Sequence, residues 1–162
     1  MGILYITIFV FITLIASFSL SQVYGEPIIY DDDYIVEKFV SGLEMPTTID
    51  FVGNDIFVLE KNSGKVIRIQ YNGIIYNEPA LEVPVISSAE SGLLGIAFAS
   101  NHVYLYFTES GILHEKEDVT RQYKPGRNVV YQYDWNGEKL INPILIKDLL
   151  SVHVTHAGGA IT

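Results

Sequence analysis

The 162 residues contain no cysteine. That excludes a disulfide framework, a thiolate metal site and a thiol nucleophile. It leaves the compartment open. Basic residues are scarce: 10 Lys and Arg stand against 19 Asp and Glu, a net charge of −9. So acidic a chain is poorly suited to a phosphate backbone, and no nucleic-acid partner is expected. Charge of either sign is missing from Met1–Gly25, so the other 137 residues carry all of it.

That uncharged start is also the one long apolar run. Ile3 to Leu20 is interrupted only by Thr7, Thr13, Ser17 and Ser19. About 18 such residues suffice to cross a bilayer, and equally to form the core of a signal peptide. Val23-Tyr24-Gly25 offers the modest side chains at alternate positions that a signal peptidase accepts, ahead of Glu26. The usual basic start is absent. A buried core helix is the poorer reading, because the segment has no polar outer face. Residues 1–25 are therefore read as a signal peptide or membrane anchor. The protein is expected to be exported, secreted or anchored, with membrane contact only through this segment. Residues 26–38 read as an acidic linker around Asp31-Asp32-Asp33. Those three carboxylates lack the spaced oxygen ligands of a calcium loop and are expected to be solvated.

From residue 39 the chain reads as short strands and turns. Thr47–Phe51, Ile56–Glu60 and Lys65–Tyr71 are strand candidates, separated by turns at 53–55 and 62–64 and followed by Asn72-Gly73. The third alternates apolar and polar residues, and Asn-Gly favours a tight hairpin. The order then recurs. Leu94–Phe98, Val103–Thr108 and Asn128–Asp134 are strands, Asn101-His102 is a turn, and Asn136-Gly137 repeats the closing dipeptide. Phe51 to Phe98 and Ile56 to Val103 are both 47 positions, whereas Gly73 to Gly137 is 64. The second copy thus carries 17 extra residues, at Gly111 to about Arg127.

A multi-stranded repeat of about 45 residues is the period of a β-propeller blade. The fold class expected is all-β. It is a partial β-propeller of about two blades and the start of a third, over residues 39–162, after the hydrophobic leader. Propellers close roughly four to eight blades around a channel. Three cannot close, so the chain reads as the N-terminal part of a longer protein.

The residues just before each inner strand should rim one mouth of the channel. Glu44 stands two before Pro46, Glu90 two before Gly92 and His156 two before Gly158. Carboxylates and an imidazole converging there would suit acid–base chemistry. His102 and His114 fall in other loops. His153, next to His156 in the alternation Val152–His156, lacks a visible third ligand for a metal.

Glu90-Ser91-Gly92-Leu93-Leu94-Gly95-Ile96-Ala97-Phe98 resembles the soluble sugar dehydrogenases that use pyrroloquinoline quinone (PQQ), the glucose/sorbosone dehydrogenase-like six-bladed propellers. Gly42–Pro46, Val58–Val66, Asn128–Tyr133 and His156-Ala157-Gly158-Gly159 are similar to the same family, in the same order. The resemblance implies oxidation of an aldose at its anomeric hydroxyl, with PQQ and calcium as cofactors and an external electron acceptor. It implies His156 as the general base, for which an imidazole titrating near neutrality is suited. It implies Glu90 beside the substrate hydroxyls. Groups holding the quinone and its calcium lie in later blades of such enzymes. Two positions depart from the pattern. Ala99-Ser100 replaces a frequent His-Pro, and Thr155 stands where an acidic residue often precedes the base. A non-catalytic extracellular binding module of the Hedgehog-interacting type is the alternative. A lactonase-like propeller would need channel carboxylates for calcium, and none is evident.

Overall fold

In the computed structural model, residues 27–110, 127–149 and 157–162 are described. The chain divides into two units, 1–38 and 39–162. In the first, residues 27–38 form no strand. Asp31 makes a local turn there: its Oδ1 accepts the Asp33 N–H at 3.0 Å and its carbonyl the Tyr34 N–H at 3.2 Å. Short polar side chains favour such local bonds over regular structure.

The second unit opens with three strands, β1 (Pro46–Val52), β2 (Asp55–Glu60) and β3 (Lys65–Gln70). Gly53, at φ +58°, lets β1 turn into β2 across two residues. The chain then continues through β4 (Leu81–Glu82), β5 (Leu93–Ala99), β6 (His102–Glu109), β7 (Arg127–Trp135) and β8 (Leu140–Leu149). The strands form two antiparallel meanders, β1-β2-β3-β4 and β5-β6-β7-β8. The described residues contain no helix. The fold is all-β.

The two sheets repeat one pairing scheme. Pro46 pairs with Glu60, Ile49 with Val58 and Val52 with Asp55. A displacement of 47 turns these into Leu93 with Phe107, Ile96 with Leu105 and Ala99 with His102. Both inner strands carry an irregularity near the start, between Pro46 and Ile49 and between Leu93 and Gly95. Between the second and third strands, Glu60–Lys65 becomes Phe107–Val129, so the third strand is displaced by 64. The 17-residue difference falls beyond the last β6–β7 pair, Glu109 with Arg127.

Each sheet has a fourth strand that the sequence reading leaves out. Asn72-Gly73 does make a turn, with the Gly73 N–H on the Gln70 carbonyl and Ile69 bridging Ile75, but the unit does not end there. β4 is only two residues long. β8 runs for 10 residues with nine exposed, so it has no buried face to impose alternation, and Pro143 sits within it. Pro is tolerated on such an outer edge because no ladder N–H is needed there.

The sheets pack face to face. Phe57, Leu59 and Val66 project from the first into Ile96, Val103 and Leu105 of the second. Phe57 is wholly buried, 4.8 Å from the Phe98 ring and edge-on to Trp135 at 5.1 Å. Burial of a side chain that large contributes about 1.5–3 kcal/mol. Outside this core, Arg68 pairs with Asp55 at 2.5 Å and donates to the Gly137 carbonyl at 3.0 Å, tying the first sheet to the β7–β8 turn. The Leu140 N–H donates to the Ala80 carbonyl at 3.0 Å.

Candidate functional site

The inner strands β1 and β5 lie side by side, joined by side chains rather than by a ladder. Thr47 Oγ1 donates to the Leu93 carbonyl at 3.0 Å and Thr48 Oγ1 to the Leu94 carbonyl at 2.6 Å. Asp50 Oδ2 accepts the Phe98 N–H at 2.9 Å. Residues 157–162 continue the series against β5. An added Cβ at Gly95 would strike the Gly159 carbonyl oxygen. Glycine at 95 is what allows that backbone approach.

Two loops reach the rim before these strands, and the dipeptide ending the first central hairpin holds both. Glu60 is only 6% exposed. Its Oε1 accepts the Glu44 N–H at 2.7 Å and its Oε2 accepts Ser63 Oγ at 2.8 Å. A buried carboxylate survives where its oxygens are bonded in this way. Lys61 N–H donates to the Met45 carbonyl at 3.0 Å, and the Lys61 carbonyl accepts the Leu93 N–H at 3.0 Å. Lys61 Nζ donates to the Ala89 carbonyl at 2.7 Å. The Glu44 and Glu90 loops therefore meet at Lys61. Gly92, at φ +148°, passes beneath it: a Cβ there would lie 2.5 Å from the Lys61 carbonyl oxygen.

Glu44 and Glu90 are both exposed on this rim. They are not counterparts, however. Met45 accepts the Lys61 N–H as Gly92 accepts the Thr108 N–H, a displacement of 47. The buried Ser91, not Glu90, stands where Glu44 stands in the first sheet. The sequence equivalence was one residue out because it matched acidic side chains rather than strand pairs. His156, with His114 and His153, lies outside the described residues. The residue after it, Ala157, is buried, and its carbonyl accepts the Tyr106 hydroxyl. Burial raises the Tyr106 pKa, so this phenol stays a donor. His102 opens β6, 3.0 Å from Asp134. Glu60, Lys61 and Tyr106 were missed because their partners lie 16 to 51 residues away in sequence.

No protein-family profile matches the sequence, and neither does any curated protein. Solved structures do match. One is described as an oxidoreductase (glucose dehydrogenase) from Thermus thermophilus, with TM-score 0.58 and 22% identity over 73% of this chain and 32% of that one. The sheets are those of a β-propeller. Another match is the PQQ-bound form of aldose sugar dehydrogenase from Streptomyces coelicolor, with TM-score 0.51 and 26% identity over 71% of this chain and 33% of that one. The chain spans about a third of the length of each.

The described residues do not by themselves form a seat for PQQ, an anionic polycarboxylate. The rim carries Glu44, Glu60 and Glu90 against Lys61, whose Nζ is engaged by Ala89. Among the described residues no three His, Asp or Glu side chains converge to hold a metal. Carboxylates at a rim suit hydroxyl donors instead.

Proposed function

We propose that this chain forms the first blades of an exported quinoprotein sugar dehydrogenase of the aldose/glucose type, secreted or anchored through residues 1–25. PQQ, when bound, would supply the hydride acceptor for oxidation of the anomeric hydroxyl and would be reoxidised by an external electron acceptor. The cofactor and its calcium would be held by residues beyond those described. The chain's own part lies on the sugar side of the mouth. His156 takes the proton of the anomeric hydroxyl, and Glu90 accepts hydrogen bonds from neighbouring hydroxyls.

The observation that carries this reading is the junction at Glu90–Phe98. The motif that resembles the dehydrogenases is the rim turn and inner strand of the second sheet, anchored by Lys61 through the Ala89 carbonyl and the Leu93 N–H. The likeness to the Streptomyces enzyme supports it.

The test uses the polypeptide carrying this chain, purified from its own cells and loaded with PQQ and Ca²⁺. Aldose-dependent dye reduction is expected. His156→Ala should lower kcat about a hundredfold or more, as loss of a general base does. Glu90→Gln should chiefly raise KM. Activity that survives His156→Ala removes the base assignment. Failure to take up PQQ overturns the reading in favour of a binding module.

A further inference from the structure

The turn that carries Glu90 has an uncommon backbone. The Ser91 N–H donates to the Ser88 carbonyl at 3.0 Å, so Ala89 and Glu90 are its two central residues. Ala89 has φ +51°, whereas Glu90 is not among the residues of positive φ. Positive φ at the first central position alone is the type II′ pattern, which glycine usually fills. Rotating the central peptide, the one between Ala89 and Glu90, turns type II′ into type I′ and carries the second central residue to positive φ. The orientation of that one peptide therefore decides the direction in which the Glu90 side chain leaves the turn.

Lys61 holds that peptide. Its Nζ donates to the Ala89 carbonyl at 2.7 Å, and Asn62 Oδ1 lies 3.4 Å from it. The ammonium reaches the turn along a fixed path. The Lys61 N–H is bonded to the Met45 carbonyl and the Lys61 carbonyl to the Leu93 N–H, each at 3.0 Å. The stem lies on Gly92, where a Cβ would come within 2.6 Å of Lys61 Cγ. The repeat shows that the hairpin itself does not need this cation. Displaced by 47, Lys61 becomes Thr108, whose N–H donates to Gly92 as that of Lys61 donates to Met45. The Thr108 hydroxyl donates to Asn128 Oδ1 at 2.8 Å and stays buried within its own sheet. The backbone bonds are common to both sheets, and the ammonium is the separable addition.

We propose that Lys61 is a positioning residue for Glu90: its ammonium fixes the Ala89–Glu90 peptide and so sets the direction of the Glu90 carboxylate at the mouth. Its bearing on turnover rests on the reading of Glu90 as a sugar contact, and the test separates the two.

The polypeptide carrying this chain, loaded with PQQ and Ca²⁺, is compared with Lys61→Met, Lys61→Arg, Glu90→Gln and the double variant Lys61→Met/Glu90→Gln. Lys61→Met keeps a stem on Gly92 and removes the ammonium. It should raise KM for the aldose about tenfold, the scale of one charge-assisted hydrogen bond, with a smaller effect on kcat. Lys61→Arg, which keeps a charged donor, should lose less. The double variant should be no worse than Glu90→Gln alone, because Lys61 acts through Glu90. A second readout needs no turnover. Ala89-Glu90 is the only Ala-Glu pair in the 162 residues, so carbonyl-¹³C alanine with ¹⁵N glutamate isolates this peptide by NMR. Its signal is the one lost in Glu90→Gln. In Lys61→Met it should shift or split, while the Glu138 amide, in the β7–β8 turn, stays in place and reports an intact fold. Lys61→Gln serves if methionine disturbs the fold. An unmoved Ala89–Glu90 signal, an unchanged KM, or losses that multiply in the double variant each overturns the proposal. A parent protein that oxidises no aldose would instead overturn the catalytic reading, and the peptide signal alone would then decide whether Lys61 sets this turn.

Discussion

Asp50 binds the same amide in both sheets: its Oδ2 accepts the Phe98 N–H at 2.9 Å and its Oδ1 accepts the Phe51 N–H at 2.7 Å. Phe98 is the repeat counterpart of Phe51. The carboxylate thus bridges the two inner strands, alongside the bonds from Thr47 and Thr48. It does so without a ladder, which would merge the blades into one sheet.

Asp50→Ala should lower stability by about 1–3 kcal/mol, because the part-buried Phe98 donor loses its acceptor. Asp50→Asn, which keeps an acceptor oxygen, should lose less. Urea unfolding of the two variants checks both statements, and equal stability of Asp50→Ala and wild type would contradict the role given to this side chain.

Gly92→Ala should be harder on the fold than Gly137→Ala. Both positions lie at positive φ, +148° and +95°. An L-residue there costs on the order of 1–3 kcal/mol in backbone strain. A Cβ at 137 meets open space, whereas at 92 it meets the Lys61 carbonyl oxygen at 2.5 Å and Lys61 Cγ at 2.6 Å. Thermal unfolding of the pair separates strain from collision. Similar losses would show that the rim turn can shift to make room.

Asp134 should titrate below an ordinary aspartate. The bond from Asn142 Nδ2 at 2.9 Å is the main cause and the His102 contact a lesser one. A depressed folded-state pKa gives stability that is present above the unfolded pKa and lost as pH falls through the folded one. The side chain is 41% exposed, so the loss on acidification should be small. Carboxylate NMR titration should show Asn142→Ala moving Asp134 back toward the normal range, and His102→Gln moving it less.

The core strands are legible in the sequence for physical reasons. Lys65–Gln70 carries apolar side chains on both faces, with Val66 and Ile69 buried on opposite sides, and the 47-residue displacement is visible because Phe51 and Phe98 occupy equivalent paired positions. β8 is hidden for the opposite reason: an outer strand exposed on nine of 10 positions has no alternation to display. The site is less legible than the fold. Glu90 is proposed from its motif alone, whereas Glu60 and Tyr106 act on backbone groups that only the fold brings near. Short sequence windows carry no trace of such partners.

The uneven hairpins bear on the order of folding. Only four residues separate Glu60 from Lys65, whereas 17 separate Glu109 from Arg127. Closing the longer connection costs about 1.3 kcal/mol more in chain entropy. The first sheet's central hairpin is thus the cheaper to nucleate. Its Leu59–Val66 face then gives the second hairpin a surface to condense on before its own long connection has been closed.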